Sequence, residues 1–257
     1  MASDTSKFNS ISPSALALLE ARSFTTIPFA RESYSFVSQR KSDQKLNPPQ
    51  ASVEDSTLAK FDFGLKTGGK LPKEVISRIM HFEARYRSID QGLRQLGSTR
   101  IIEFSSGLSL RGLDFCRNPE IQYLDTDLPE VIDTKRALVA EVNREYCDYQ
   151  PDNLILKGMN AMNREEFFEN LKLFDTGPIS IVNEGLLMYL DEHQKEELAK
   201  IIHEVLQKYG GYWITTDIYR RDDAERREIN KYYNQRDKDF VSKHNIDANK
   251  FASFEEA

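Results

Sequence analysis

From about residue 71 onward, short apolar runs alternate with longer amphipathic ones, and this alternation constrains the chain more than any other feature. "TRIIEF", "IQYLDTD", "NLILKGM", "PISIVNEG" and "YWITTDIY" are rich in β-branched and aromatic residues and read as five strands. The stretches around them have helical character. "LPKEVISRIMHFEARYRSIDQGLRQLG" places Val75, Ile79, Phe82, Tyr86 and Ile89 at helical spacing, and Gly97 supplies a stop. Pro129 opens "EVIDTKRALVAEVNREY", Asn163 caps "NREEFFENLKLF", and Asp191 with Gln194 forms a capping-box start to "EHQKEELAKIIHEVLQKYGG". A highly charged helix, "DDAERREINKYYNQRDKDFVSKH", is expected after the fifth strand. Strands alternating with helices predict an α/β fold, a mainly parallel sheet with helices on both faces.

In such sheets ligands bind beyond the carboxyl ends of the strands, near the switch point. The residues to examine are therefore the turn Ser105-Ser106-Gly107, the acids Asp125 and Asp127, Asn160, and Glu184. The turn is small enough for close approach of a ligand, and a helix start beyond it offers free amide donors. Asp127 lies 20 residues after Gly107, where a carboxylate reaches ribose hydroxyls in dinucleotide-type folds. The turn lacks the G-x-G-x-x-G pattern that a pyrophosphate demands, which disfavours a nicotinamide-dependent enzyme. A ligand with a ribose and no phosphates makes a weaker demand on the loop.

Composition argues against several classes. A net charge of −6 argues against a nucleic-acid binder. Cys116 and Cys147 lie far apart, and His81, His193, His203 and His244 are equally scattered, so no metal motif can be assembled. The polar start MASDTSKFNS does not read as a signal peptide, and no apolar run approaches the roughly 20 residues of a membrane span. The expectation is a soluble, cytoplasmic protein with reduced cysteines and no membrane partner.

Residues 1–60 differ in character from residues 61–257 and read as an N-terminal extension on one large domain. "SPSALALLEARS" is a short helix with Ser12 as cap and Pro13 at its first position. "SQRKSDQKLNPPQASVEDST" reads as a loop or mobile cover.

Three segments, "RIIEFSSGLSLRGLDF", "YLDTDLPEVIDTKR" and "ISIVNEGLLMYL", resemble motifs of the leucine carboxyl methyltransferase family, which includes bacterial polyketide-type O-methyltransferases. The resemblance runs from about Arg85 to Tyr189. It implies a Rossmann-like class I methyltransferase fold, S-adenosylmethionine as cofactor, and an N-terminal lid bearing Phe29, Arg31, Tyr34 and Phe36. By the same resemblance Arg85 clamps the cofactor's carboxylate, as a guanidinium fork can. Ser105 and Gly107 stand where the family has loop glycines. Asp127 binds the ribose, a helix-capping aspartate being its competing reading. Asn160 meets the adenine where the family often has aspartate, and Glu184 lies near the amino-acid end and sulfonium. Glu103 and Ala161 complete the cofactor set. No catalytic residue is assigned; Tyr189 and His193 are the residues to examine for a base, Tyr189 also fitting a wall of the site and His193 an exposed helix position.

Two departures stand out. Ser105 replaces a glycine, which restricts its backbone. Second, the family adds two strands after the fifth, and here the chain ends at "DANKFASFEEA": either the chain is truncated or its sheet stops early, and weak cofactor binding or an edge covered by self-association is expected. Three functions stay open: O-methylation of a carboxyl or hydroxyl on a small-molecule acceptor, methylation of a protein C-terminal carboxylate, or an inactive cofactor-binding or interaction protein.

Overall fold

The computed structural model describes residues 12–46, 73–221, 241–253 and 255–257. These residues contain five strands, β1 (Arg100–Phe104), β2 (Gln122–Asp127), β3 (Leu154–Gly158), β4 (Ile179–Asn183) and β5 (Gly211–Thr215). They pair in the order β3-β2-β1-β4-β5, and every pairing is parallel. This is the doubly wound order of a Rossmann-like sheet, with its switch point between β1 and β4.

Among the described residues seven helices accompany the sheet: α1 (Ser12–Ser23), α2 (Ala30–Leu46), α3 (Lys73–Gln95), α4 (Arg111–Phe115), α5 (Pro129–Tyr146), α6 (Arg164–Leu171) and α7 (Glu192–Tyr209). Register places Ile102 beside Leu124 and Ile181, and this face packs on Phe167 and Leu171 of α6 and on Leu198, Ile202 and Val205 of α7. The alternate residues Ile101, Tyr123 and Val182 face Ile89 and Leu93 of α3 and Phe115 of α4. Period-two alternation along each strand thus builds two cores, one on each side of the sheet.

Local chemistry sets the helix ends. Gly97, at φ +61°, follows α3 in the left-handed conformation. Pro129 stands at the first position of α5. The Asn163 side chain accepts from the amides of Glu165 and Glu166. Asp191 and Gln194 form the reciprocal capping box at the start of α7. Each such cap contributes about 1 kcal/mol.

The N-terminal segment differs from its expected form. Residues from Ser38 to Leu46 are not loop but the last turns of α2. Gln, Arg and Lys there have good helix propensity, and the strong breakers Pro48 and Pro49 come only afterwards. Leu19, Phe29 and Val37 share a cluster with Leu108, Leu110, Leu113, Leu138 and Val139, so the helical hairpin belongs to the core. Phe29 is buried, Tyr34 Oη donates to Glu20 Oε1 at 3.1 Å, and Phe36 packs against the same cluster. Arg31 is exposed and donates to the Ser23 carbonyl. Most of the charged helix expected at 222–244 lies outside the described residues, as do residues 47–58 of the expected loop.

Among the described residues β5 pairs with β4 alone. Beyond it, among the described residues, the Phe251 amide donates to the Tyr219 carbonyl and the Arg221 amide to the Phe251 carbonyl. No helix among the described residues is long and apolar enough to cross a membrane, and none of their His, Cys, Asp or Glu side chains cluster as a metal site.

Candidate functional site

The loop after β1 is shaped by two left-handed residues. Ser105 has φ +53° and Gly107 φ +56°. The serine adopts the conformation a glycine would take more cheaply. This geometry aims the Gly107 amide at Asp127 Oδ2, 2.7 Å away at the end of β2. Asp127 Oδ1 accepts from its neighbour Leu128 at 2.7 Å. Asp127 therefore does not cap α5, whose first residues receive no side-chain bond from Leu128 at the cap position. Burial pushes the Asp127 carboxyl upward, opposed by the two amides. Each oxygen keeps a second lone pair that a hydroxyl can use.

Ser106 anchors the same loop from below. Its hydroxyl donates to Asp125 Oδ1 at 2.5 Å, and Lys135 Nζ reaches both, at 2.8 Å from Ser106 Oγ and 2.6 Å from Asp125. All three are buried, a charge pair satisfied inside the protein.

Glu184, one residue past β4, is the electrostatic centre. Arg22 Nη2 donates to its Oε1 at 2.5 Å, and Arg111 Nη2 to its Oε2 at 3.0 Å. Arg85 Nε lies 3.6 Å from Oε1. Burial alone would raise this carboxyl, but Arg22, Arg85 and Arg111 outweigh it and hold it down to about 2. Arg111 is itself fully buried: Nε donates to Asp90 at 2.8 Å, Nη1 donates to Glu103, and the guanidinium lies 4.0 Å from the centre of the Tyr86 ring. Glu103 also accepts from Tyr123 Oη at 2.6 Å. Its carboxylate is thus spent within the protein on the α3 side of the sheet, and burial raises its proton affinity.

Arg85 donates through Nη2 to Asp217 Oδ1 at 3.2 Å. The Nε–H groups of Arg22 and Arg85 are buried and make no hydrogen bond among the described residues. α1 also lies over the loop: a Cβ on Gly107 would stand 3.8 Å from that of Ala15.

Of the residues expected from sequence, Arg85, Ser105, Gly107, Asp127 and Glu184 gather at the carboxyl ends of β1, β2 and β4. Asn160 sits after β3, where its Oδ1 accepts from the Met162 amide at 3.0 Å. Ala161 is buried in the apolar core. Tyr189, in the short 3₁₀ turn Leu187–Tyr189, meets the His244 ring edge-on at 5.9 Å. His193 is exposed on the first turn of α7, which gives it no buried position from which to act as a base.

Arg22, Arg111 and Asp217 were not singled out from the sequence. Arg111 carried a usable signal, since a cation between "SGLSL" and "GLDF" must find buried partners. Asp217, two residues past β5, falls inside the strand expected at "YWITTDIY" and so carried no strand-end signal. Arg22 had none: its partner lies 162 positions away.

No protein-family model matches the chain, and no curated protein matches it. Solved structures do. A protein from Thermobifida fusca YX assigned as a methyltransferase superposes with a TM-score of 0.46 at 17% identity, covering 70% of this chain and 76% of its own. The glycopeptide N-methyltransferase MtfA, complexed with sinefungin, gives 0.36 at 16%, covering 50% of this chain and 47% of its own. The mitomycin 7-O-methyltransferase MmcR gives 0.37 at 14%, covering 61% and 43%. The chain spans about half the length of MtfA and less of MmcR. At such identities the likeness concerns the course of the chain alone.

Proposed function

We propose that the carboxyl end of this sheet binds S-adenosylmethionine and that the chain transfers its methyl group to an oxygen of a small-molecule acceptor, a carboxyl or hydroxyl. The observation that carries the reading is the bridge between the Gly107 amide and Asp127, which sets a carboxylate beside a tight turn at the ends of adjacent parallel strands. That is the arrangement that holds a ribose in folds of this order. The motif resemblance supplies the choice of S-adenosylmethionine over other nucleosides.

The residues present fit such a ligand. Asp127 would accept from the ribose hydroxyls with its spare lone pairs. The Nε–H groups of Arg22 and Arg85, which make no hydrogen bond among the described residues, suit the carboxylate of an amino acid, and Glu184 suits its ammonium. Asn160 offers a carboxamide to the adenine amino group. When bound, the sulfonium supplies an activated methyl group and a neutral leaving group. What the protein contributes is alignment and exclusion of water. The N-terminal helix, fastened to Glu184 by Arg22, serves the second purpose.

A carboxylate acceptor arrives deprotonated and needs no base. That chemistry suits the described residues best, since three guanidinium groups hold Glu184 as a carboxylate and make it a poor base. Free Cys116 and Cys147 accord with a cytoplasmic location.

A second reading draws on these internal contacts. Asp127 and Glu184 are both satisfied by the protein itself, as in a chain that keeps the fold without the reaction. Calorimetry with S-adenosylhomocysteine and transfer of labelled methyl to a panel of carboxylic acids and phenols separate the readings. Micromolar binding that is weakened by Asp127→Ala, with labelled product, supports the enzyme. Absence of binding overturns the proposal.

A further inference from the structure

Asp217 is the most heavily hydrogen-bonded carboxylate near the site, and the motif resemblance gives it no role. It stands two residues past β5 and is buried. Oδ1 accepts from the Gly185 amide at 2.6 Å and from Arg85 Nη2 at 3.2 Å. Oδ2 accepts from the amides of Leu186 and Leu187, at 2.7 and 3.1 Å, and from Asn183 Nδ2 at 2.9 Å. Three consecutive amides thus converge on one carboxylate, a backbone nest for an anion. The nest depends on Gly185, whose φ is +80°. A side chain there would be strained, and its Cβ would stand 3.4 Å from Arg85 Nη2.

These contacts place Asp217 between two groups that meet the same end of the cofactor. On one side it grips Arg85, carried by α3. On the other it fixes the turn that directly follows Glu184, carried by β4. Arg85 and Glu184 are themselves 3.6 Å apart at their nearest atoms. We infer that Asp217 is a positioning residue: by binding Arg85 and the 185–187 amides with one carboxylate, it sets the guanidinium and Glu184 at a fixed separation, and so sets affinity for the amino-acid end of the cofactor. The inference rests on the proposed S-adenosylmethionine site.

Asn183 supports the arrangement from the core. Its Nδ2 donates to Asp217, while its Oδ1 accepts from Trp213 Nε1 at 2.7 Å. The indole thereby fixes which way the carboxamide points, and so presents Asp217 with a donor. A fixed second tier of this kind holds a ligand-binding side chain to one rotamer.

A structural role and a positioning role differ in coupling. If Asp217 acts through Arg85, removing either should weaken ligand binding, and removing both should be little worse than removing Arg85 alone. The probe is S-adenosylhomocysteine by calorimetry, on the full chain, with thermal unfolding followed in parallel. Asp217→Asn puts an amide N–H where the nest presents donors. It should weaken binding by roughly ten- to a hundredfold, the scale of a lost hydrogen bond to a charged group. In an Arg85→Ala background the same change should alter affinity by less than about threefold.

Asn183→Ala is the milder variant should Asp217→Asn not fold. It leaves the carboxylate in place without its side-chain support, and should weaken binding several-fold, an effect likewise lost in Arg85→Ala. Folded variants that bind as wild type, or effects that add in full to that of Arg85→Ala, overturn the inference while leaving the cofactor site intact. A wild-type chain that binds no S-adenosylhomocysteine overturns both.

Discussion

Arg22 in the first helix and Glu184 at the end of the fourth strand are joined by a 2.5 Å ion pair that spans 162 positions of chain. Both side chains are buried, so the pair fastens the N-terminal hairpin to the sheet at the functional end. Together with Arg85 and Arg111 it holds the Glu184 carboxyl down to about 2, from an ordinary 4.5. A carboxyl depressed in the folded state stabilises the fold above its unfolded value and loses that contribution as pH falls toward its folded value. Glu184 should therefore contribute roughly 3 kcal/mol at neutral pH, vanishing between about 4.5 and 2. In urea unfolding, Glu184→Gln should be well below wild type at pH 7, and the gap should narrow steadily below pH 4.5. A gap independent of pH would contradict this account.

Arg22→Ala tests the other half of the pair. Glu184 keeps Arg85 and Arg111, so the centre should survive while the hairpin loses its polar link to β4 and keeps the Thr26 bonds to Glu83 and Arg87 of α3. The apolar contacts of Leu19, Phe29 and Val37 remain. We expect a loss of about 1–3 kcal/mol, with amide exchange rising far more in residues 15–37 than in β1. Uniform acceleration across the chain would show that the hairpin does not open as a unit.

The contrast between Asp127 and Arg22 shows what the sequence could reveal. Asp127, Glu184 and the Ser105–Gly107 turn were legible because each ends a strand with a clear apolar pattern, and a parallel sheet puts strand ends together. The caps at Asn163 and Asp191 were legible for a similar reason, since cap and amide lie within three residues. Arg22 and Asp217 were not, because their partners are set by topology. Nothing in "LLEARS" indicates that its arginine meets β4, nor in "TTDIY" that three amides of another turn converge on its acid. The end of α2 was misread for a further reason: a run of polar Gln, Lys and Ser looks like loop even where their propensities sustain a helix.

Lys135 offers a test of the loop's foundation. It is fully buried on α5, with Asp125 at 2.6 Å and Ser106 Oγ at 2.8 Å as partners. Lys135→Met removes one charge and strands the other, which typically costs about 3–5 kcal/mol. Adding Asp125→Leu to that variant removes the stranded charge and should recover a substantial part of the loss. The pair of denaturation curves measures the coupling. If the double variant is as unstable as the sum of the singles, Lys135 and Asp125 do not act together.

Ser105 is where the chain departs from the glycine its motif would favour, and its φ of +53° makes the consequence measurable. An L-residue held in the left-handed region carries about 1–2 kcal/mol of steric strain. Ser105→Gly relieves that strain but also gives the unfolded chain more freedom, which offsets part of the gain. The net expectation is a rise of about 0.5–1 kcal/mol, or a few degrees in melting temperature for a chain of this length. Ser105→Ala keeps the Cβ and should bring no such gain. Because Gly107 and Asp127 stay as they are, S-adenosylhomocysteine affinity should hold or improve in Ser105→Gly. Should the glycine variant instead melt lower than wild type, the serine side chain must be contributing a contact that outweighs its backbone strain, and the loop would be adapted to serine.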